Sequence, residues 1–538
     1  MTTPPAEPAT GCVHADAVSF TYDGSDSPQL RSITFDVAKG ERVAIVGAAG
    51  AGKTTLAMSL NGLVPHHYEG ELTGTLTVAG RAVASSEIAD LVRHVGLVTQ
   101  DPESQITGRT ALEDAAVGPA NLGLPYPDVL ARAERSLRRV GLADLRDRDT
   151  AQMSGGQLQR LAIAGLLAMD PEILVLDEPT SELDPAGAEQ LFAVARGISE
   201  SGRTVLLVAH EPELVAEWAQ RLLVLADGVL IYDGSPAGFF TDPQLVERAG
   251  LRPPGVVSVV TALCGKGLLP DRVAVPTTVA EAARLLRPYL PTLRGMSRPA
   301  PDATGSGPVV VEARGLSYRY PSGVQALTGV DLRIRQGEFV ALVGRNGAGK
   351  TTFARHLNGL SRASTGSVDV NGRAVATRPV HELATEVGYV FQNPDHQIFA
   401  SSVREEISFG LKNLGHSTEA INNRVADVLE QVDMPEMAEA HPYRLSRGQR
   451  QRLAVASVLA VRPGILVVDE PTTGQDWTGS VAIMELLRSL NEAGHTILVI
   501  THDMLLAAQY TRRAVVFDQG RVRADRPTRE LFRDPAVL

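Results

Sequence analysis

Lysine is scarce in this chain, occurring only as Lys39, Lys53, Lys266, Lys350 and Lys412 among 51 basic residues in 538. Two of the five share one setting. Gly47, Ala48, Ala49, Gly50, Ala51, Gly52, Lys53, Thr54 and Thr55 spell GAAGAGKTT, and Gly344, Arg345, Asn346, Gly347, Ala348, Gly349, Lys350, Thr351 and Thr352 spell GRNGAGKTT. Each follows an apolar run, RVAIV or FVALV, and opens a helical pattern, the context that this spacing requires. Glycines there let backbone N–H groups close around phosphate oxygens, and a helix N-terminus adds favourable potential. Lys53 and Lys350 are expected to reach the β- and γ-phosphates of a nucleotide, and the Thr54 and Thr351 hydroxyls to bind Mg²⁺.

Acidic and amide groups complete the chemistry. ILVLDE and ILVVDE place Asp177 and Asp469 at the C-terminal ends of strand-like runs, where α/β sheets bind ligands, and both are expected to hold Mg²⁺. Glu178 and Glu470 follow, and a carboxylate there can polarise or deprotonate the water attacking the γ-phosphate. Alone, such an acidic pair reads equally well as a helix cap; beside the glycine loops, hydrolysis is the better reading. Gln100 and Gln392, between the two nucleotide motifs in each half, are expected to sense Mg²⁺ and the attacking water. His210 and His502 end apolar strands and are expected at the γ-phosphate, an assignment that rests on the whole set. Tyr22 and Tyr320, in VSFTY and LSYRY, either stack on adenine or pack on a strand face.

The elements that must position these groups come twice. Lys350 lies 297 residues after Lys53, while Gln392, Ser446, Glu470 and His502 each lie 292 after Gln100, Ser154, Glu178 and His210. Two copies of one domain are fused, and the five-residue difference falls near Pro65 to Gly70. Short β-branched runs alternating with helical patterns predict an α/β core with helices on both faces of a largely parallel sheet. The predicted division is 11–250 for the first domain, 251–294 for an appendage, 295–308 for a linker rich in Pro, Gly and Ser, and 309–538 for the second domain. Within the appendage Thr278 and Glu281 form a possible capping box before a helix.

A net charge of −11 argues against a general nucleic-acid binder. Two cysteines, Cys12 and Cys264, argue against a disulfide framework or a cysteine-bound cluster, and fit a reducing compartment. No apolar run is long enough to span a bilayer, and the start lacks a signal-peptide pattern, so a channel would come from another chain.

Glycine loop, glutamine loop, the MSGGQ and LSRGQ motifs, hydrophobic-DE, SELD or TGQD, and the terminal histidine together resemble the ATP-binding-cassette family. That resemblance implies two tandem cassettes, each with a mainly parallel core sheet, an N-terminal antiparallel β part and a helical subdomain carrying the signature. It also implies head-to-tail closure on two ATP molecules. Ser446, Arg447, Gly448 and Gln449 would then meet the nucleotide held by Lys53, and Ser154, Gly155, Gly156 and Gln157 the one held by Lys350. LNGL after both lysines and Q-D/N-P-x-x-Q in both glutamine loops are similar to the ATPases of energy-coupling-factor importers, cobalt-type and vitamin-type, and 251–294 resembles their C-terminal extension. The implied partners are a transmembrane coupling protein and a small membrane protein that captures substrate, and the implied location is the cytoplasmic face of the membrane. A soluble twin-cassette factor acting on ribosomes or nucleic acid, and an exporter ATPase, are the competing readings. Arg447, where the first copy has Gly155, would add about 1–2 kcal/mol of strain if its φ had to be positive. Otherwise its charge could favour phosphate or a carboxylate.

Overall fold

A computed structural model describes residues 12–181, 183–270, 273–291 and 307–534. The linker expected at 295–308 lies almost wholly outside the described residues. The chain divides into two compact units, Met1–Ser297 and Arg298–Leu538.

The first unit contains β1 (Val13–Tyr22), β2 (Leu30–Val37), β3 (Arg42–Val46), β4 (Gly70–Val78), β5 (Arg81–Ala82), β6 (Val95–Val98), β7 (Ile173–Asp177), β8 (Thr204–Val208), β9 (Arg221–Ala226) and β10 (Val229–Gly234). One sheet, ordered β2-β1-β4-β5, is antiparallel. The other, ordered β10-β9-β3-β8-β7-β6, is parallel except for the antiparallel edge strand β10. Its strands β6, β7 and β8 are buried at every position, because helices cover both faces and leave no solvent side for alternation. The order matters for function: β3, β8, β7 and β6 lie side by side, so the loops leaving their carboxyl ends converge on one edge.

The second unit repeats this plan with β11 (Val309–Arg319), β12 (Gln325–Arg335), β13 (Phe339–Val343), β14 (Thr365–Val370), β15 (Arg373–Ala374), β16 (Val387–Val390), β17 (Ile465–Asp469), β18 (Thr496–Ile500), β19 (Arg513–Asp518) and β20 (Arg521–Pro527). Its sheets run β12-β11-β14-β15 and β16-β17-β18-β13-β19-β20. The length difference between the copies sits between the glycine-loop helix and β4, where the first unit has an extra short helix, Leu63–His66, and a longer strand than β14.

Each core lies on both sides of its larger sheet. In the first unit one cluster includes Leu174, Leu176, Leu207, Phe192 and Trp218, and the opposite one Phe20, Ile45, Leu56 and Val175. Truncating one such side chain to alanine costs about 2–5 kcal/mol, so strand positions are tightly specified.

Beyond the cassette-like part, the appendage has helices Gly255–Gly265 and Val279–Leu286. The second begins with the Thr278–Glu281 capping box. The first, GVVSVVTALCG, lies within the stretch 251–294 expected to be helical, but its own start carries no capping side chain. Its start is tied down by Glu213, which accepts from Arg252 at 2.6 and 2.9 Å and from the Gly255 N–H at 3.0 Å. Burial pushes the Glu213 carboxyl up, but Arg252 and that N–H outweigh it, and its pKa falls below the usual range.

Candidate nucleotide site

The glycine loops bridge β3 or β13 to helices Lys53–Leu60 and Lys350–Leu357. Gly47 has φ +154° and Gly344 +141°, and a Cβ on either would lie 2.2 Å from a backbone oxygen, of Leu225 or Phe517. No other residue fits there. Gly50 and Gly347 also have positive φ, +77° in both, but a Cβ would meet open space, so these glycines serve the turn itself. Lys53 Nζ donates to the Gly47 and Ala48 carbonyls at 3.0 and 2.9 Å, and Lys350 Nζ to those of Gly344 and Arg345 at 2.7 and 3.0 Å. Both lysines are buried inside their own loops.

Around Glu178 the sequence-expected groups meet. Its Oε1 lies 2.6 Å from His210 Nε2 and 3.7 Å from Lys53 Nζ, and its Oε2 accepts from Gln100 Nε2 at 3.1 Å. In the second unit Glu470 Oε2 accepts from Gln392 Nε2 at 2.9 Å and from Thr473 Oγ1 at 3.2 Å, with His502 Nδ1 at 3.6 Å. Burial raises the Glu470 pKa, yet His502 and Lys350 outweigh it and hold the carboxyl below its usual range. Burial likewise lowers the His502 pKa, and the Glu470 carboxylate more than reverses this. Both glutamates have φ near +45°, uncommon for a residue with a Cβ, and this turn aims the carboxylate across the sheet edge.

Asp177 and Asp469 end β7 and β17 beside Thr54 and Thr351. Thr351 Oγ1 donates to Asp469 Oδ1 at 3.2 Å. Asp177 Oδ1 is buried without a hydrogen-bond partner, and burial pushes this carboxyl up to about 6 despite the hydrogen bond from Thr54. The donor set fits Mg²⁺: hydroxyl and carboxylate oxygens on each side, a buried unpaired oxygen, and an adjoining phosphate cradle to supply the remaining ligands. Among the described residues there is no cluster of three His, Cys, Asp or Glu groups able to hold a metal alone.

Tyr22 and Tyr320 donate to, or accept from, Thr55 and Thr352 at 2.9 and 3.0 Å, and each packs edge-on against an aromatic two residues earlier, Phe20 or Tyr318. The phenols are thus fixed to the glycine-loop helix.

The MSGGQ and LSRGQ residues sit elsewhere in each unit, at the start of helices Gly155–Met169 and Arg447–Leu459. Ser446 and Gln449 cap each other reciprocally, at 2.9 and 3.3 Å, and Ser154 N–H donates to Gln157 at 2.9 Å. The serine and glutamine of the motif are therefore a capping box, a signal present in the sequence as S-x-x-Q. Gly155 and Arg447 both have negative φ, so arginine adds no backbone strain at that position. Its guanidinium lies over Gly474: a Cβ there would be 2.6 Å from Arg447 Cζ. Gly474 replaces Glu182 of the first copy, just as Arg447 replaces Gly155.

Three further roles escaped the sequence reading. Asp184 and Asp476 accept from the Gly187 and Gly479 N–H groups at 2.8 and 2.7 Å, capping the helices that follow. Gln397 ties its loop to the signature helix through Ala454 O and Ser457 Oγ, at 3.0 and 3.1 Å. Its counterpart Gln105 bonds back to Leu97 and Thr99.

A family model described as ABC transporter matches residues 30–181 and again 327–473, taking in both glycine loops, both glutamine loops and both DE pairs. The chain belongs to the ABC transporter family. The ABC chain is 39% identical over 548 residues to a protein of Methanosarcina acetivorans, covering 99% of this chain and 89% of the relative. It is also 39% identical over 535 residues to one of Caldanaerobacter subterraneus subsp. tengcongensis, covering 97% and 92%. Both relatives carry provisional names as ABC transporter ATP-binding proteins. A solved structure titled cbiO1 from Clostridium perfringens, part of the ABC transporter complex cbiONQ, is 33% identical. It covers 43% of the ABC chain and 92% of its own, with a TM-score of 0.40. With the family match over both halves and their mainly parallel sheets, both ABC cassettes are α/β P-loop folds of an ATP-binding family. Among the described residues no helix is long and apolar enough to cross a membrane.

Proposed function

We propose that this ABC chain is the ATP-hydrolysing subunit of an energy-coupling-factor-type importer for a vitamin or transition-metal cation. Each cassette brings a glutamine, a histidine and the glycine-loop lysine to one glutamate, and this gathering carries the reading that both cassettes hydrolyse ATP. Glu178 or Glu470 accepts the proton of the attacking water at a carboxylate oxygen. His210 or His502 and Gln100 or Gln392 hold that carboxylate in place. Lys53 and Lys350 leave their own loop carbonyls for phosphate oxygens, and Thr54 with Asp177, and Thr351 with Asp469, would hold Mg²⁺ together with the glutamines. When bound, that ion screens the phosphate charge.

The two cassettes close head to tail within one chain in this reading, each capping box facing the other cassette's nucleotide. The Q-D/N-P-x-x-Q loops, LNGL and the helical extension favour the energy-coupling-factor type. Beside the second glutamine loop, Phe399 and Phe409 stack edge-on at 4.7 Å while remaining 62% and 47% exposed, where the first cassette has Thr107 and Val117. This aromatic pair is the docking point for the transmembrane coupling protein.

Tagged full-length chain purified from native membranes tests the proposal. It should carry an integral membrane coupling protein and a small substrate-capture protein, with Phe399→Ser/Phe409→Ser recovering several-fold less of both. A chain found entirely soluble and partner-free, or sedimenting with ribosomes in ATP, overturns it.

A further inference from the structure

The two cassettes hold their metal-site aspartates differently. Tyr389 lies on β16, buried, with its hydroxyl donating to Asp469 Oδ2 at 2.7 Å. Thr351 takes the other oxygen, so both are fixed. The neighbouring strands are in the same register in both units, Tyr389 beside Val467 and Leu97 beside Val175. The backbone is therefore matched and the side chain is not: Leu97 offers Asp177 no donor, and Asp177 Oδ1 is left bare. A second exchange accompanies the first. Arg355, on the glycine-loop helix, brings its positive charge near the Tyr389 phenol, where the first cassette has Met58. Tyr389 also packs against Phe391 at 5.2 Å, which limits its ring to this orientation.

We propose that Tyr389 is a positioning residue that holds Asp469 ready for a divalent cation, so that the second cassette binds Mg²⁺–nucleotide more tightly than the first. This rests on reading Asp469 as a metal-holding carboxylate. A hydrogen bond from outside the ligand set fixes the carboxylate's orientation before the cation arrives, and loss of such a partner typically weakens metal affinity about 10–100-fold. Asp177, with its Oδ1 unpartnered, must have that oxygen ordered by the cation itself.

Full-length Lys53→Ala protein isolates the second site, and Lys350→Ala the first. For each, the affinity of a fluorescent ADP analogue is measured in EDTA and in MgCl₂, and the ratio of the two reads what the cation contributes. The ratio should be larger for the second site, and Tyr389→Phe should lower it about 10-fold with affinity in EDTA unchanged. Tyr389→Leu, carrying the first cassette's side chain, should do the same. An unchanged ratio overturns the proposal, as does equal weakening with and without Mg²⁺, or loss of the folded state in both variants. Failure of the underlying reading looks different: Asp469→Asn would then leave the ratio intact.

Discussion

At the scale of single residues, the second copy's departure from glycine at Arg447 is matched by a departure in the opposite direction at Gly474. The guanidinium occupies space that a Cβ at 474 would need, and the positive φ there, +67°, favours glycine in any case. Gly474→Ala should therefore destabilise the second cassette by about 1–2 kcal/mol, mostly from the backbone. Calorimetry of the full chain would read this as a lowered transition. Adding Arg447→Gly should restore only the part due to the side-chain contact. A silent Gly474→Ala would contradict this account of the pair. Nothing in LSRGQ alone reveals the partner, because the two residues are 27 positions apart and meet only when the helix start folds against the TGQD loop. Lys53, Glu178, His210 and Gln100 were legible for the opposite reason. The chemistry proposed for them needs fixed residue types just beyond the strand ends and at a helix start, so the sequence carries them as motifs.

Elements tell the same story with different physics. Buried parallel strands such as ILVLD and TVLLV are recognisable as continuous apolar runs, and the sheet edge where their loops meet follows from that. Within the expected helical appendage, the start of helix Gly255–Gly265 was not legible, since it is set by a distant carboxylate. Glu213 holds that start through Arg252 and the Gly255 N–H, and its depressed pKa fixes the sign of the pH response. The anchoring contribution is fully present above the unfolded carboxyl value of about 4.3 and is lost as pH falls through the lower folded value. Hydrogen exchange should show 255–265 protected at pH 7, deprotected by Glu213→Gln at that pH, and deprotected in the unmodified chain only in stronger acid. Protection unaffected by the substitution would remove Glu213 from this role. The second glutamine of each loop is a similar case: Gln397 fastens its loop to the signature helix while Gln105 bonds back to Leu97 and Thr99, and the shared Q-D/N-P-x-x-Q pattern gave no sign of the difference.

For the whole molecule, duplication supplies two complete sets of the groups proposed as catalytic, and the differences between the sets lie around them. Arg447 with Gly474, Tyr389 with Arg355 and the exposed Phe399–Phe409 pair all mark differences between the two copies. Both glutamates persist, each within reach of a histidine and a glutamine, so the account requires both cassettes to contribute to turnover. The most direct measurement is steady-state ATP hydrolysis by the full-length chain carrying Glu178→Gln, Glu470→Gln, or both. Each single substitution is predicted to lower turnover, to unequal extents, and the double to lower it about 100-fold or more, as expected on removing a general base. Turnover at the unmodified level in the double variant would contradict the assignment of these carboxylates, and with it the claim that this chain is a two-site ATPase.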